Sequence, residues 1–283
     1  MKIDLTPGAI GVKVKDQREL NTLAHKHGFQ SVQPRSSEFV GYSRLEMDVL
    51  RADLQEKKLS WGSAGLRVDF RKDETTFHSG LKDLPAEAKA LKAMGGNRMN
   101  TWISPSHGDL TYIRNFNQHA IRLREVATIL NDHGIRFGLE YVGTLGLRIG
   151  KKFPFVHCMA EAAELITAIG VSNVGFVLDS WHWWTAMESS DDIKTLTKEQ
   201  IIAVDLNDAP VGIRMEDQQD NQRELPAATG VIDLRSFLNT LNSLGYDGPV
   251  RAEPFNKPLN QLDNDEACAK TSAALKEAFG LIW

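Results

Sequence analysis

The chain has 283 residues and a formal net charge of -4, with 37 acidic and 33 basic residues spread along its whole length. It contains no block of like charge and no basic arm, which argues against nucleic acid and against an anionic membrane as partners. This length suits a single barrel domain, which typically has about 250 residues. We find no linker or low-complexity segment and expect one domain over residues 1–283.

The two cysteines, Cys158 and Cys268, lie far apart in segments with helical patterning. Isolated thiols of this kind are typical of a reducing compartment, so we expect unpaired structural cysteines and a cytoplasmic protein. The first residues, MKIDLTPGAIGVKVKD, lack the regions of a signal peptide. No apolar run reaches the ~18 residues that a membrane span requires.

Short apolar or β-branched runs alternate along the chain with longer segments whose apolar residues recur at i, i+3 and i+4. The predicted strands, in chain order, are 9–14, 29–34, 59–70, 97–104, 135–142, 174–181, 201–208 and 248–255. The predicted helices that follow them are 16–28, 42–58, 79–95, 112–134, 155–169, a weaker segment at 195–200, 233–245 and a C-terminal helix through 278.

Eight such units in one domain predict an α/β fold with a parallel sheet closed as a (β/α)₈ TIM barrel. An open doubly wound sheet usually carries a dinucleotide or phosphate loop, and neither G-x-G-x-x-G nor G-x-x-x-x-G-K-[ST] follows any strand. The irregular stretch 209–229 after the seventh strand exceeds the usual loop length, which makes it a candidate active-site loop.

Four consecutive predicted strands, the fifth to the eighth, end on an acidic residue: Glu140, Asp179, Asp205 and Glu253. In a barrel these ends are neighbours on the face that carries the active site. One such carboxylate alone is often a helix cap or an ion-pair partner. Four together repel unless protons or a cation compensate them, so we predict one divalent metal ion. Oxygen ligands favour Mn²⁺ or Mg²⁺, with Co²⁺ and Zn²⁺ as further candidates.

Further polar and aromatic residues fall near the same rim. His182 follows Asp179 by three residues, and the tryptophans of DSWHWW could either wall a sugar site or pack the rim. Arg223 lies in the long loop, while Trp102 and Arg148 lie at or just beyond strand ends. We predict His182, Arg223, Trp102 and Arg148 as substrate contacts.

The segments GLEYVG, NVGFVLDSWHWW, VDLNDAP and GYDGPVRAEPF resemble the xylose isomerase-like TIM-barrel superfamily, specifically its sugar phosphate isomerase/epimerase group of ketose 3-epimerases and inosose isomerases and dehydratases. The resemblance covers nearly the whole chain. It implies metal ligands Glu, Asp, His and Glu after strands five to eight. Glu140, Asp179 and Glu253 match, whereas Asp205 stands where the family has histidine, which favours a harder ion. Asn207, on the same strand face, is the alternative ligand.

The resemblance also implies that Glu140 and Glu253 form an acid/base pair, and that His182 and Arg223 contact the substrate. The expected reaction is metal-dependent isomerisation or epimerisation of a sugar or cyclitol, by proton abstraction next to a carbonyl through an enediolate. The resemblance adds that barrels of this group associate through their outer helices, so a homo-oligomer is expected.

Three alternatives remain open from the sequence. A lyase could use the same site, either to dehydrate a keto-inositol or to eliminate from a 3-keto-glycoside. A sugar-binding subunit without turnover could have kept the barrel, with Asp205 as the sign of a lost ligand. A nuclease of the apurinic-site endonuclease kind is disfavoured, because the chain has few histidines at strand ends and an acidic balance.

Overall fold

A computed structural model describes all residues from 1 to 283. Its strands are β1 (Lys2–Leu5), β2 (Ser31–Val32), β3 (Ser60–Trp61), β4 (Ala64–Gly65), β5 (Arg98–Trp102), β6 (Ser106–His107), β7 (Arg136–Glu140), β8 (Phe153–Pro154), β9 (Val174–Asp179), β10 (Ile201–Leu206) and β11 (Pro249–Ala252). Its helices are α1 (Gln17–Lys26), α2 (Ser36–Phe39), α3 (Arg44–Glu56), α4 (Glu74–Ala93), α5 (Tyr112–Asp132), α6 (Leu145–Arg148), α7 (Met159–Ile169), α8 (Ser180–Thr185), α9 (Ser190–Lys194), α10 (Leu234–Ser243) and α11 (Asn264–Phe279).

Nine strands form one parallel sheet in the order β3-β2-β1-β11-β10-β9-β7-β5-β4. The two outermost strands of this order, β3 and β4, are consecutive in the chain and are separated only by Gly62 and Ser63. The sheet therefore curls round and meets itself within one segment, so that β3 and β4 together make the third of eight barrel positions. The predicted (β/α)₈ fold class is confirmed. Strands β6 and β8 form a separate antiparallel ribbon above this barrel sheet.

The prediction of a first strand at 9–14 is wrong. The first strand is β1, which pairs with β2 on one side and with β11 on the other. Residues Gly8–Ile10 form a 3₁₀ turn instead, and Gly11 leaves it with a φ of 74°. A proline before this turn and a left-handed glycine after it break the extended conformation that the apolar run alone suggests.

Other boundaries also differ from the predictions. Helix α4 begins at Glu74, earlier than predicted, because the Asp73 side chain accepts a hydrogen bond from the backbone N–H of Thr76 and so caps the helix start. The predicted helix at 195–200 is absent. Helix α9 ends just before this segment, which contains only a 3₁₀ turn, Lys198–Gln200, that leads into β10.

The helices pack apolar faces against the outside of the barrel. Leu123, Val126 and Leu130 recur on one side of α5 and are fully buried, as the i, i+3, i+4 spacing predicts. Both cysteines are unpaired, with Cys268 buried in α11 and Cys158 half-buried before α7. None of the helices combines the length and the apolar character that crossing a bilayer demands.

The break between β3 and β4 requires glycine at position 62. A Cβ on Gly62 would lie 2.4 and 2.5 Å from the two carboxylate oxygens of Asp4, a buried side chain of β1. We expect Gly62→Ala to lower the free energy of unfolding by about 1–3 kcal/mol, the usual cost of overpacking, measured by urea denaturation. Gly65→Ala is the matched control, because nothing lies within 4 Å of its Cβ position. An equal loss in both variants would contradict this account.

Candidate active site

The four predicted carboxylates meet at the carboxyl end of the barrel. Glu140 ends β7, Asp179 ends β9, Asp205 lies one residue before the end of β10, and Glu253 directly follows β11. These strands are neighbours in the sheet, and Asp205 is in register with Asp179. One carboxylate oxygen from each residue lies within 4.8 Å of those from the other three. Asp179 and Asp205 are fully buried, Glu140 is buried, and Glu253 is partly exposed to the cavity.

Two arginines lie among these carboxylates. Arg251 of β11 contacts both oxygens of Asp205, with Nη2 2.8 Å from Oδ2 and a second, shorter contact from Nε. Arg223 donates from Nη1 to Asp179 Oδ2 at 2.7 Å, and the same nitrogen lies 3.5 Å from Glu253 Oε2. With Asp220, which also pairs with Arg223, five carboxylates face two guanidinium groups, and a divalent cation would reduce this excess of negative charge.

The pKa values of the carboxyl groups reflect this excess of negative charge. Burial raises the pKa of Glu140 well above its usual range, and the charges of Glu253, Asp205 and Asp179 raise it further. Burial, reinforced by Asp205, raises the pKa of Glu253 to about 8 although Arg223 and Arg251 oppose the shift. Without a cation, this pair of glutamates therefore binds a proton more readily than free carboxyl groups do.

The chemistry of the cluster fits a divalent metal ion. Glu140 Oε1 is buried and has no hydrogen-bond partner, which is rare for a carboxylate oxygen in a protein interior. A cation bound between Glu140 and Glu253 would satisfy this atom and lower the repulsion between the two groups. All four side chains offer oxygen, the ligand that hard ions prefer. Asp205 is the least available ligand, since Arg251 holds both of its oxygens.

Asn207, the alternative ligand, positions the other residues. Its side chain is fully buried; its Nδ2 donates to Asp179 Oδ1 at 2.9 Å, and its Oδ1 accepts from the backbone N–H of Glu253 at 3.1 Å. The backbone N–H of Trp181 donates to the same Asp179 oxygen at 2.7 Å. Asn207 therefore fixes the relative position of two predicted ligands on neighbouring strand ends.

His182 lies beside the cluster on α8. Its Nδ1 lies 3.3 Å from the backbone nitrogen of Gly143, and its Nε2 lies 3.3 Å from Arg223 Nη2. Both neighbours are donors, and a neutral ring accepts at only one nitrogen, so only one of these two hydrogen bonds forms at a time. Nε2 lies 3.8 Å from Asp179 Oδ2 and 4.0 Å from Glu140 Oε1. Burial lowers the pKa of His182 to about 4, so the ring is neutral. Nε2 therefore lies close enough to the Glu140 and Asp179 oxygens to contact a substrate held there or to bind an ion together with them.

The cluster opens into a cavity of about 270 Å³. Its lining residues are Trp102, Glu140, Val142, Leu147, His182, Asp220, Arg223, Glu253 and Phe255. The volume is slightly below the ~300 Å³ at which pockets for drug-sized ligands begin, and it suits a small ligand. Three of the four predicted substrate contacts, His182, Arg223 and Trp102, line the cavity. Arg148 ends α6 and does not line it.

Of the two roles left open for the tryptophans of DSWHWW, packing of the rim applies to Trp181 and Trp183. Trp181 and Trp183 are buried and pack the rim, while Trp102 and Phe255 face the cavity. Trp181 packs against Arg223, whose guanidinium carbon lies 5.3 Å from the centre of the Trp181 ring.

Sequence reasoning missed three residues of the site: Arg251, Asp220 and Phe255. Strand alternation could have found Arg251, which precedes Glu253 by two residues and so shares its face. Asp220 lies three residues before Arg223 in the long loop and accepts a hydrogen bond from its Nη2 at 2.9 Å. No local pattern marks Asp220 or Phe255.

Comparisons with known proteins agree with this architecture. A model of the xylose isomerase-like TIM barrel family matches residues 22–278. A solved xylose isomerase domain protein from Alicyclobacillus acidocaldarius is 30% identical, covers 99% of both chains and superposes with a TM-score of 0.86. The solved IOLI protein with a bound zinc atom has a TM-score of 0.81 at 19% identity over 100% of this chain and 99% of that one, a likeness of fold alone.

Curated relatives match a part of the chain. The inosose isomerase of Halalkalibacterium halodurans is 29% identical over 148 residues, which are 51% of this chain and 48% of that protein. The chain thus matches about half the length of this relative. The 3-dehydroshikimate dehydratase of Pseudomonas aeruginosa is 30% identical over 135 residues, 47% of this chain and 20% of that protein.

Proposed function

This chain belongs to the xylose isomerase-like TIM barrel family, and we propose that it is a divalent-metal-dependent isomerase or epimerase of a sugar or cyclitol. The observation that carries the proposal is the buried carboxylate cluster at the barrel mouth, in which Glu140 Oε1 has no partner. The inosose isomerase name of several relatives supports a polyhydroxylated ketone as substrate.

Glu140, Glu253 and Asp179 would hold the ion, with Asp205 as a fourth ligand once its pair with Arg251 loosens. The all-oxygen donor set favours Mn²⁺ or Mg²⁺ over softer ions. When bound, the metal supplies Lewis-acid stabilisation of negative charge on a carbonyl oxygen.

Glu140 and Glu253 are placed to transfer protons. Glu140 ends β7 and Glu253 follows β11, at the two ends of the arc of four strands that carries the cluster, so they approach a ligand in the cavity from different sides. One carboxylate removes the proton from the carbon next to the carbonyl, and the other carboxyl returns a proton to the same or the adjacent carbon. Transfer to the opposite face of one carbon gives an epimer, and transfer to the adjacent carbon gives an isomer.

The remaining lining residues would hold and orient the substrate. His182 Nε2 lies at the carboxylate side of the cavity beside Arg223 Nη2, within reach of a substrate hydroxyl group. The Trp102 ring is 46% exposed and offers an apolar face to sugar C–H groups. Arg223 already donates to Asp179 and Asp220. A substrate oxygen would therefore share an N–H group of Arg223 with one of these carboxylates.

A lyase is the second candidate, because dehydratases are among the relatives of this chain. The first step would be the same proton abstraction. The two reactions part afterwards: an isomerase returns the proton, whereas a lyase expels a leaving group from the carbon two positions from the carbonyl.

Metal removal tests the proposal. We expect chelation to lower the rate at which ketoses or keto-inositols exchange deuterium with solvent by at least about 100-fold, and Mn²⁺ or Mg²⁺ to restore it, because several kcal/mol of charge stabilisation depend on the ion. Product mass spectra distinguish deuterium uptake from loss of water. Metal-loaded protein that binds ketoses without exchange would indicate a sugar-binding subunit. Failure to bind Mn²⁺ in excess would contradict the metal site.

A further inference from the structure

A second cavity of about 380 Å³ adjoins the first. Trp102, the last residue of β5, lines both, so the two cavities meet at this residue. The second cavity lies between the start of α5 and the ribbon of β6 and β8, and none of the four clustered carboxylates lines it. A ligand held in the first cavity could therefore extend past Trp102 into the second.

The lining of the second cavity is cationic. Arg71, Lys72 and Lys151 face a single carboxylate, Asp69, which leaves a formal excess of two positive charges. The ammonium groups of both lysines are exposed and make no hydrogen bond or ion pair with other protein groups. Arg71 is fixed in place: its Nη1 donates to Trp102 O at 2.6 Å, and its guanidinium carbon lies 4.5 Å from the centre of the Trp102 ring. An anionic ligand group would complete this arrangement.

Two buried polar side chains of α5 have no partner. Asn115 and His119 are 1% and 2% exposed, both line the second cavity, and Asn115 Oδ1 and His119 Nε2 make no hydrogen bond. His119 Nδ1 lies 2.9 Å from Asn115 O and donates to it, so Nε2, at the opposite edge of the ring, is an acceptor. Unsatisfied buried acceptors on successive helical turns are uncommon in proteins. Hydroxyl groups of a ligand are their natural donors.

The ribbon contributes a further donor. His107 Nδ1 accepts from the backbone N–H groups of Asp109 and Leu110 at 3.0 and 2.9 Å, so the hydrogen of the neutral ring is on Nε2. His107 pairs with Phe153, and Lys151 precedes Phe153 by two residues, so pairing of the two short strands brings both side chains to the same cavity.

We infer that the second cavity binds an anionic oxyacid group, a phosphate ester or a carboxylate, carried by the substrate whose reacting carbons occupy the first cavity. Lys72, Lys151 and Arg71 receive the oxyanion, and hydroxyl groups next to it donate to His119 and Asn115. The inference rests on the proposed function and narrows it to acidic or phosphorylated sugars and cyclitols.

The test compares a neutral ketose with its terminal phosphate ester and with the matching terminal carboxylic acid. We expect wild-type kcat/KM to be at least about tenfold higher for one of the anionic substrates, since charge-assisted hydrogen bonds contribute more than neutral ones. Which anion is preferred identifies the oxyacid. The double variant Lys72→Gln, Lys151→Gln should lose this preference through KM, measured as the ratio of its own kcat/KM values for the anionic and the neutral substrate. Lys152→Gln is the matched control, because Lys152 is adjacent but does not line the cavity.

A binding measurement separates this inference from the proposed reaction. Calorimetric titration with inorganic phosphate needs no turnover, and we expect binding to wild type and to Lys152→Gln to be about tenfold tighter than to the double variant. If no ketose reacts but phosphate binding follows this order, the proposed function fails and the anion subsite stands. Equal kcat/KM for neutral and anionic substrates, or phosphate binding unchanged in the double variant, would overturn the inference.

Discussion

The Glu140→Gln and Glu253→Gln variants should each lose about 10²–10⁴-fold in kcat while remaining folded, because a positioned acid or base contributes a rate factor of this size. Glutamine keeps the shape of the side chain and removes its capacity to carry a proton. Both glutamates have raised pKa values, caused first by burial and then by neighbouring carboxylates. Because glutamine is neutral without binding a proton, the metal-free variants should be at least as stable as the wild type.

Labelled solvent makes this test sharper than a rate alone. A variant that keeps the abstracting carboxylate can still exchange the substrate proton without forming product, so one of the two variants should retain exchange in one epimer. Glu199→Gln is the control: it makes the same chemical change at an exposed residue before β10, at the opposite end of the barrel. Wild-type rates in both cavity variants would refute the acid/base assignment.

The barrel can be predicted from sequence periodicity because its strands and helices follow from local patterns. Strands such as β9 and β10 are buried along their whole length and read as continuous apolar runs. Strand β1 was misplaced because it has only four residues, and its position depends on pairing with β11, at the other end of the chain. The split between β3 and β4 depends on the space that Asp4 leaves beside Gly62. Neither the position of β1 nor the split between β3 and β4 is determined by the local sequence.

The candidate site likewise has residues that local sequence predicts and residues that it does not. Strand ends of parallel neighbours must converge, so the four carboxylates could be predicted together. The arginine partners required tertiary information: Arg223 reaches Asp179 from a loop without regular structure, and Arg251 is turned towards Asp205 by strand register. The second cavity combines Arg71, His119 and Lys151 from three separate segments, and no spacing along the chain brings them together.

The role of Arg223 leads to the second large expected effect. Arg223→Met should lower the free energy of unfolding by about 3–5 kcal/mol, the usual cost of removing one partner of a buried ion pair. The Arg223 side chain is 1% exposed and contacts Asp179, Asp220 and Glu253. Methionine preserves much of the apolar stem but leaves these carboxylates without their cation. Urea denaturation measures the loss.

The pH dependence of this loss has a definite sign. In the Arg223→Met variant Asp220 and Glu253 lose the charge that lowers their pKa values, so burial raises these pKa values above those of the unfolded chain. Folding then binds protons, and stability falls as pH rises through the folded pKa values. The difference in free energy of unfolding between wild type and variant should therefore be largest at neutral pH and above, and should decrease in acid. Arg214→Met is the matched control from the same loop: its side chain is 71% exposed, so water screens its ion pairs and its loss should change stability little.

Mn²⁺ connects this loss of stability to the proposed metal site. A ligand that binds only the folded state stabilises it by RT ln(1 + [L]/Kd), so the ion's effect on the unfolding midpoint reports its affinity. In Arg223→Met one positive charge is missing beside Asp179 and Glu253, and Mn²⁺ should therefore bind more tightly and stabilise the variant more than the wild type. If Arg223 instead occupied the place of the metal, the wild type would show no response to Mn²⁺ and only the variant would gain. Equal losses in Arg223→Met and Arg214→Met would show that the buried pair contributes nothing to stability.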